Sequence, residues 1–380
     1  MPGRGTGRAT ALDGLRGVAA CAVVLYHAIL HNDPGLVERV LYQPLQASGS
    51  LRDALTKLAL TCLNGEVAVY IFFVLSGSVL RLSLESRRDT PAWSLCAGFA
   101  GARLLRLYPP TIACMAIMYV LSQLGIPGYP IFGLREAVMN AALLQTLMHG
   151  PSTTIQVEVM AIPFILSIWL LRRRFGLAFL GVALIYSIVA MDAGCMVLYL
   201  PNMHAYLIAF VAGMLVAEPL LRPLIREAPA ETWWATVAAL VVCRLFQPHS
   251  SSFGLIAMIL AAALLVGGLL YGQVGSLAVL LQRPVAQALG RISFSLYLLN
   301  VPVLLLLWAL IARWTWPTTH ALEAGLLVGA ASLLLTWPLA WASERWIERP
   351  SVTASRLVWT VARLRERDRP VWARLVSSRR

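Results

Sequence analysis

The stretch "LDGLRGVAACAVVLYHA", residues 12–28, decides how this chain is to be read. It is an apolar run with Arg16 near its start and His27 near its middle. Such a run is close to the ~20 residues that a helix needs to cross a bilayer. On a helix, the eleven residues from Arg16 to His27 give about 16 Å of rise and three turns plus about 20°. Both side chains therefore lie on one face, Arg16 at the membrane boundary and His27 at mid-depth. An ionisable group at that depth is costly and turns toward a cavity or the bundle interior. A neutral histidine bonded to a neighbouring helix satisfies this, and so does a general base with a pKa near neutrality. His31 follows one turn later, but a metal pair would need a third ligand and none stands nearby, so no metal is expected.

Composition carries the same reading across the chain. Of 380 residues, 59% are hydrophobic and 13% charged, against about 25% charged in a soluble domain. The net charge of +13 does not point to nucleic acid, because the arginines cluster between apolar runs and in the tail, the distribution of the positive-inside rule. The six cysteines, at 21, 62, 96, 114, 195 and 243, have neither disulfide nor metal-ligand spacing. The first apolar run lacks a small-residue cleavage site and reads as a retained helix.

The expected fold is all-α, a polytopic bundle of about ten spans. They fall near 14–31, 66–82, 107–124, 154–171, 175–191, 202–217, 232–247, 254–271, 290–312 and 321–343. With both termini inside, most arginines fall on the inner side. The bundle domain is taken as residues 1–350 and a basic amphipathic tail as 351–380. That tail, with "SRLVWTVARLRERDRPVWARLVSSRR" at 355–380, reads as an interfacial helix held by anionic membrane lipids. Two outer segments are long, 32–65 and 125–153, and the second contains a candidate short helix in "REAVMNAALLQTLMHG".

Further along, Arg103 and Arg106 in "ARLLRLYPP" lie one turn apart on one helical face. Two guanidiniums so placed suit a phosphate clamp, and Pro109–Pro110 are expected to open a new helix after them. Glu158 stands a few residues into an apolar run, toward its outer end. There it could orient His27, pair with an arginine, bind a sugar hydroxyl, or simply snorkel to the outer interface. Ser76–Gly77 in "YIFFVLSGSVL" suit close helix packing, and Tyr297 suits a membrane-interface aromatic.

Taken together, these stretches resemble the acyltransferase-3 family of integral membrane O-acyltransferases. Arg16 and His27, with ten residues between them, match its first-helix signature. "YIFFVLSGSVL" (70–80), "ARLLRLYPP" (102–110), "TIQVEVMAIPFIL" (154–166) and "GRISFSLYLLNVP" (290–302) match later segments in order. The chain departs from the family pattern at Tyr70, Thr153 and Asn300, where members carry an acidic residue, a tryptophan and a histidine. Glu66, one turn before Tyr70, is a candidate replacement for the first.

The resemblance implies a bacterial inner-membrane enzyme with no permanently bound cofactor and acyl-CoA, foremost acetyl-CoA, as donor substrate. The acceptor is a sugar hydroxyl of a lipid-linked or exported glycan. His27 and Glu158 are the implied catalytic residues. Arg16, Arg103 and Arg106 are implied to bind the donor, and Ser76, Tyr297 and Asn300 to bind substrate. Arg16 and His27 are expected to line one common cavity. The rival reading is a proton-coupled transporter or flippase, which an intramembrane histidine and carboxylate would also suit; the chain shows no internal repeat to support it.

Overall fold

Runs this apolar must satisfy their backbone groups internally, and a helix does so within one segment. The computed structural model describes residues 6–31, 33, 35–194, 197–246, 252–271 and 274–367, and these form sixteen α-helices with short π and 3-10 turns and no strand. In chain order they are α1 Thr6–His31, α2 Leu51–Leu63, α3 Gly65–Glu85, α4 Ala92–Gln123, α5 Leu134–Ala141, α6 Gly150–Phe175, α7 Leu177–Asp192 and α8 Met203–Val216. There follow α9 Arg222–Glu227, α10 Ala230–Phe246, α11 Ser252–Tyr271, α12 Gly275–Leu281, α13 Pro284–Ile311, α14 Trp316–Thr319, α15 Ala321–Ser343 and α16 Arg349–Arg367. Arg4, Cys195 and the tail residues 368–380 lie outside the described residues.

Each of the ten expected spans falls on a helix. Seven helical stretches are long and apolar enough to cross a membrane, or eight if the bent pair of α8 with Pro219–Glu227 is one span. The remaining expected spans come as shorter helices: α7 has 16 residues and α10 has 17. The break after α8 bends by 65°. Ions hold it: Glu218, 1% exposed, takes Arg81 at 2.8 Å and Arg172 at 2.8 Å, and Arg81 also donates to the Ala217 carbonyl at 2.7 Å.

One expectation about α4 is corrected. Pro109–Pro110 do not open a helix; they lie inside a single 32-residue helix that carries Arg103 and Arg106 in its first half. Proline keeps a helix-compatible φ, and inside a packed bundle the freed carbonyls are tolerated. The start of the tail is helical and packs on the bundle. Within α16, Trp359 packs on Gly98 of α4, beneath the guanidinium of Arg87 at 4.5 Å.

α1 is the hub, packed along α3, α11, α13 and α15. Close approach depends on missing side chains. A Cβ on Gly17 would lie 2.5 Å from the Gly290 nitrogen of α13, and one on Gly77 would lie 2.2 Å from the Phe210 carbonyl oxygen of α8. So the Ser76–Gly77 pair divides its work: Gly77 packs α3 on α8, and Ser76 faces the other way. α3 runs antiparallel to α1, with Gly65 beside Tyr26 and Ala68 beside Ala19 and Val23. α6 runs alongside α3 in the same direction, since Glu158 meets Ser76 and Trp169 meets Glu85.

α13 contains Pro302, which removes the N–H that would bond the Leu298 carbonyl. His149, fully buried at the start of α6, supplies the main replacement donor: its Nε2–H reaches Leu298 O at 3.0 Å, and the Cys114 thiol donates to the same oxygen at 3.4 Å. Since a carbonyl only accepts, Nε2 carries the proton, and Nδ1 of the neutral ring accepts from the Ser152 hydroxyl at 2.9 Å.

Candidate active site

The seam where α1, α3, α4, α6 and α13 meet encloses a cavity of about 410 Å³. Arg16 enters it from α1, Ser76 from α3, Arg103 and Arg106 from α4, Glu158 from α6 and Tyr297 from α13. Six of the eight residues singled out in the sequence thus line one chamber, drawn from five helices. Asp13, Thr154 and Ser293 also line it, and the rest of its walls are apolar, with Val69, Phe72, Leu107 and Ile155 among them.

The three guanidiniums are held differently. Arg103 is committed: it donates to Glu158 at 2.7 Å and to the Ser76 hydroxyl at 3.1 Å, and Ser76 donates to Glu158 at 2.8 Å. Glu158 is therefore an arginine partner, and its side chain is only 16% exposed. Arg16 has a loose ion pair with Asp13 at 3.8 Å, three residues before it. Arg106 makes no hydrogen bond or ion pair with the described residues. A guanidinium lining a partly apolar chamber without a protein partner is a site for an anion.

At the far end of the chamber from Arg16 stands a pair of rings. Phe72 and Tyr297 lie 5.6 Å apart at 58°, packed on Ala19, Val23 and Ala68. The Tyr297 hydroxyl bonds Thr154 Oγ1 at 3.1 Å. His27 is not in the chamber's lining. It lies about 16 Å along α1 from Arg16, beyond Ala19 and Val23, and so on the far side of the rings. The expectation of one common cavity is corrected here: the lining reaches Val69, Phe72 and Tyr297 and does not include His27.

His27 is nevertheless accessible. It is exposed, while Tyr26 and Ala28 on either side are buried. Around α1 at this level, Val23 faces α3, Val24 faces α13 at Leu304, and Ala28 faces α15. The wheel puts His27 between the first two, pointing into the seam of α3 and α13 directly in line with Arg16. His31, one turn on, stacks on Trp308 of α13 with centroids 3.4 Å apart.

Asn300 does not reach the chamber. It is buried, and its amide donates to the Leu296 and Tyr297 carbonyls of its own helix at 2.9 and 2.6 Å. Glu66 pairs with Arg244 of α10, away from the chamber lining. Two participants escaped the sequence. Thr154 is one of many small polar residues in apolar runs. Glu348 accepts from the Ser295 N–H at 2.9 Å and from its hydroxyl, within electrostatic reach of Arg106 and Arg16. In sequence Glu348 sits among arginines and reads as an ordinary surface pair. Among the described residues no group of three His, Cys, Asp or Glu side chains is placed to hold a metal.

Taken together, the helices and this cationic chamber make the chain a multi-pass membrane protein with a buried polar site. A family model described as an acyltransferase domain matches residues 10–341, and the chain belongs to that acyltransferase-3 family. It is accordingly a membrane acyltransferase. Neither a curated protein nor a solved structure matches it significantly.

Proposed function

We propose that the enzyme moves an acyl group, acetyl as the simplest case, from acyl-CoA to a sugar hydroxyl of a lipid-linked or exported glycan in a bacterial inner membrane. The observation that carries this reading is the chamber itself: Arg16 and Arg106, not tied up by strong protein partners, face one space in line with His27. The CoA phosphates dock on those two guanidiniums, while Arg103, fixed by Glu158 and Ser76, lends charge to the wall. The pantetheine arm has about thirteen bonds from phosphorus to sulfur, about 15 Å at the reach of an extended chain. That matches the rise of about 16 Å between Arg16 and His27.

For the thioester to reach His27, the Phe72–Tyr297 pair must part around the arm. The acceptor hydroxyl comes to His27 through the open seam between α3 and α13. His27 takes its proton, the oxygen attacks the acyl carbon, and the proton passes to the departing CoA sulfur. General-base help of this kind contributes about 10²–10⁴-fold. The sugar class rests on the family resemblance and not on a contact. A proton-coupled carrier is not favoured, given the match to a transferase family.

The test uses purified protein in detergent with labelled acetyl-CoA and candidate glycans. His27→Ala abolishes transfer without changing the melting temperature. Arg16→Ala with Arg106→Ala weakens CoA binding at least tenfold. Unimpaired transfer in the first variant removes the base, and unchanged affinity in the second removes the clamp.

A further inference from the structure

Acyl transfer to an alcohol passes through a tetrahedral intermediate whose carbonyl oxygen carries the negative charge. Hydrogen-bond donors aimed at that oxygen supply a large share of the rate. In the donor geometry proposed above, the reacting carbon lies near His27, and Arg16 and Arg106 are a pantetheine length away. Neither can serve. The donor has to come from the upper end of the chamber.

The described side chains there leave few choices. Arg103 is anchored through Nη2 to Glu158 and Ser76, with its Nε buried against the protein without a partner, and Ser76 donates to Glu158. The Ser293 hydroxyl donates to the Gly290 carbonyl at 2.8 Å. The Asn300 amide is spent on its own helix. Thr154 donates its hydroxyl hydrogen to the Pro151 carbonyl at 2.7 Å, so in the Thr154–Tyr297 bond it is Tyr297 that donates. That leaves a phenol O–H, a stronger donor than an aliphatic hydroxyl because it is more acidic. Thr154 lies one turn from Glu158 toward the N-terminal end of α6. α6 runs with α3 and against α1, so that end is the one nearer His27.

We propose that Tyr297 is a catalytic residue whose hydroxyl holds the oxyanion of the tetrahedral intermediate. The inference rests on the donor and base assignments of the proposed function. As the rings part to admit the arm, Tyr297 gives up Thr154 and turns its O–H to the thioester oxygen. The acceptor oxygen bonds to the acyl carbon, and the C=O electron pair moves onto the oxygen facing Tyr297. Its collapse re-forms the carbonyl and breaks the C–S bond. The thiolate leaves with the proton that His27 took from the acceptor. The products are the acyl ester and CoA thiol, with no other reactant needed.

Tyr297→Phe keeps the ring and its packing and removes only the hydroxyl. Its kcat is expected to fall about 100-fold, with KM for acyl-CoA and for the acceptor within threefold of wild type and an unchanged melt in detergent. Tyr297→Leu removes ring and hydroxyl and is expected to be at least as slow. Wild-type kcat in Tyr297→Phe overturns the assignment, all the more if Tyr297→Leu is slow, because the ring alone would then matter. A rise in KM with kcat preserved overturns it too. If wild-type protein itself transfers nothing from any acyl-CoA, the donor reading fails and this inference goes with it. If wild type transfers and Tyr297→Phe is undiminished, only this inference fails.

Discussion

Arg103 of α4 and Glu158 of α6 meet at 2.7 Å, and Ser76 of α3 bonds to both. The side chains are 10% and 16% exposed, so the pair is close to dry. Removing one partner of a buried pair leaves the other charge uncompensated and typically costs about 3–5 kcal/mol, whereas replacing both with apolar residues of similar size is often neutral. Glu158→Leu should therefore lower the detergent melting temperature markedly. The double variant Arg103→Met with Glu158→Leu should recover much of it. A double variant no more stable than the single one would show that the pair is not an isolated ionic unit.

The Phe72 and Tyr297 rings pack together in the chamber wall, on the face of α1 between Arg16 and His27, and the proposed donor path has to pass them. With His27→Cys as a reporter in vesicles, a charged thiol reagent applied from the side of the arginine-rich end should react slowly. Adding Phe72→Ala should speed that labelling at least tenfold. Equal rates in the two backgrounds would mean that the rings are no barrier. Labelling needs no acyl donor, so its outcome is independent of the chemistry.

His149 donates to the carbonyl that Pro302 leaves without a helix partner. His149→Phe leaves the Leu298 carbonyl only the weak thiol donor of Cys114 at 3.4 Å and should destabilise the protein by about 1 kcal/mol, the low end of the cost of a poorly satisfied buried group. Pro302→Ala restores an N–H to the helix and should reduce that loss when combined with His149→Phe. Strict additivity of the two changes in thermal unfolding would break the link.

Glu218 carries two guanidiniums at the break between α8 and α9, and both it and Arg81 are nearly fully buried. Glu218→Gln leaves Arg81 and Arg172 facing each other without a countercharge. The expected loss is again about 3–5 kcal/mol, read as a collapse in the yield of folded protein. Normal yield and melting would assign the bend to packing alone.

Much of this fold could be read before any coordinates, and for a plain reason. Apolar runs near bilayer length have one solution, and each of the ten expected spans landed on a helix. Arg16, Arg103, Arg106 and Glu158 were legible because ionisable groups stand out in such runs, and Ser76 and Tyr297 joined them only through the family resemblance. Helix continuity was not legible: Pro109–Pro110 looked like a helix start, whereas α4 runs through them and carries Arg103 and Arg106 in its first half. The ring pair at Phe72 and Tyr297 was invisible as well. Helical spacing says that Arg16 and His27 share a face, and it cannot say what two other helices place between them. His149 escaped for a related reason: its partner is a carbonyl freed by a proline 153 positions away in the chain.

The aromatic layer at Phe72 and Tyr297 also bears on the energetics of the cell. A passage open from the arginines through to His27 would be a leak, and each unit charge slipping through would dissipate about 2.3 kcal/mol per 100 mV of membrane potential. On the proposed donor path, two rings that part only around the substrate arm would let such an enzyme reach across the bilayer's insulating layer without short-circuiting it.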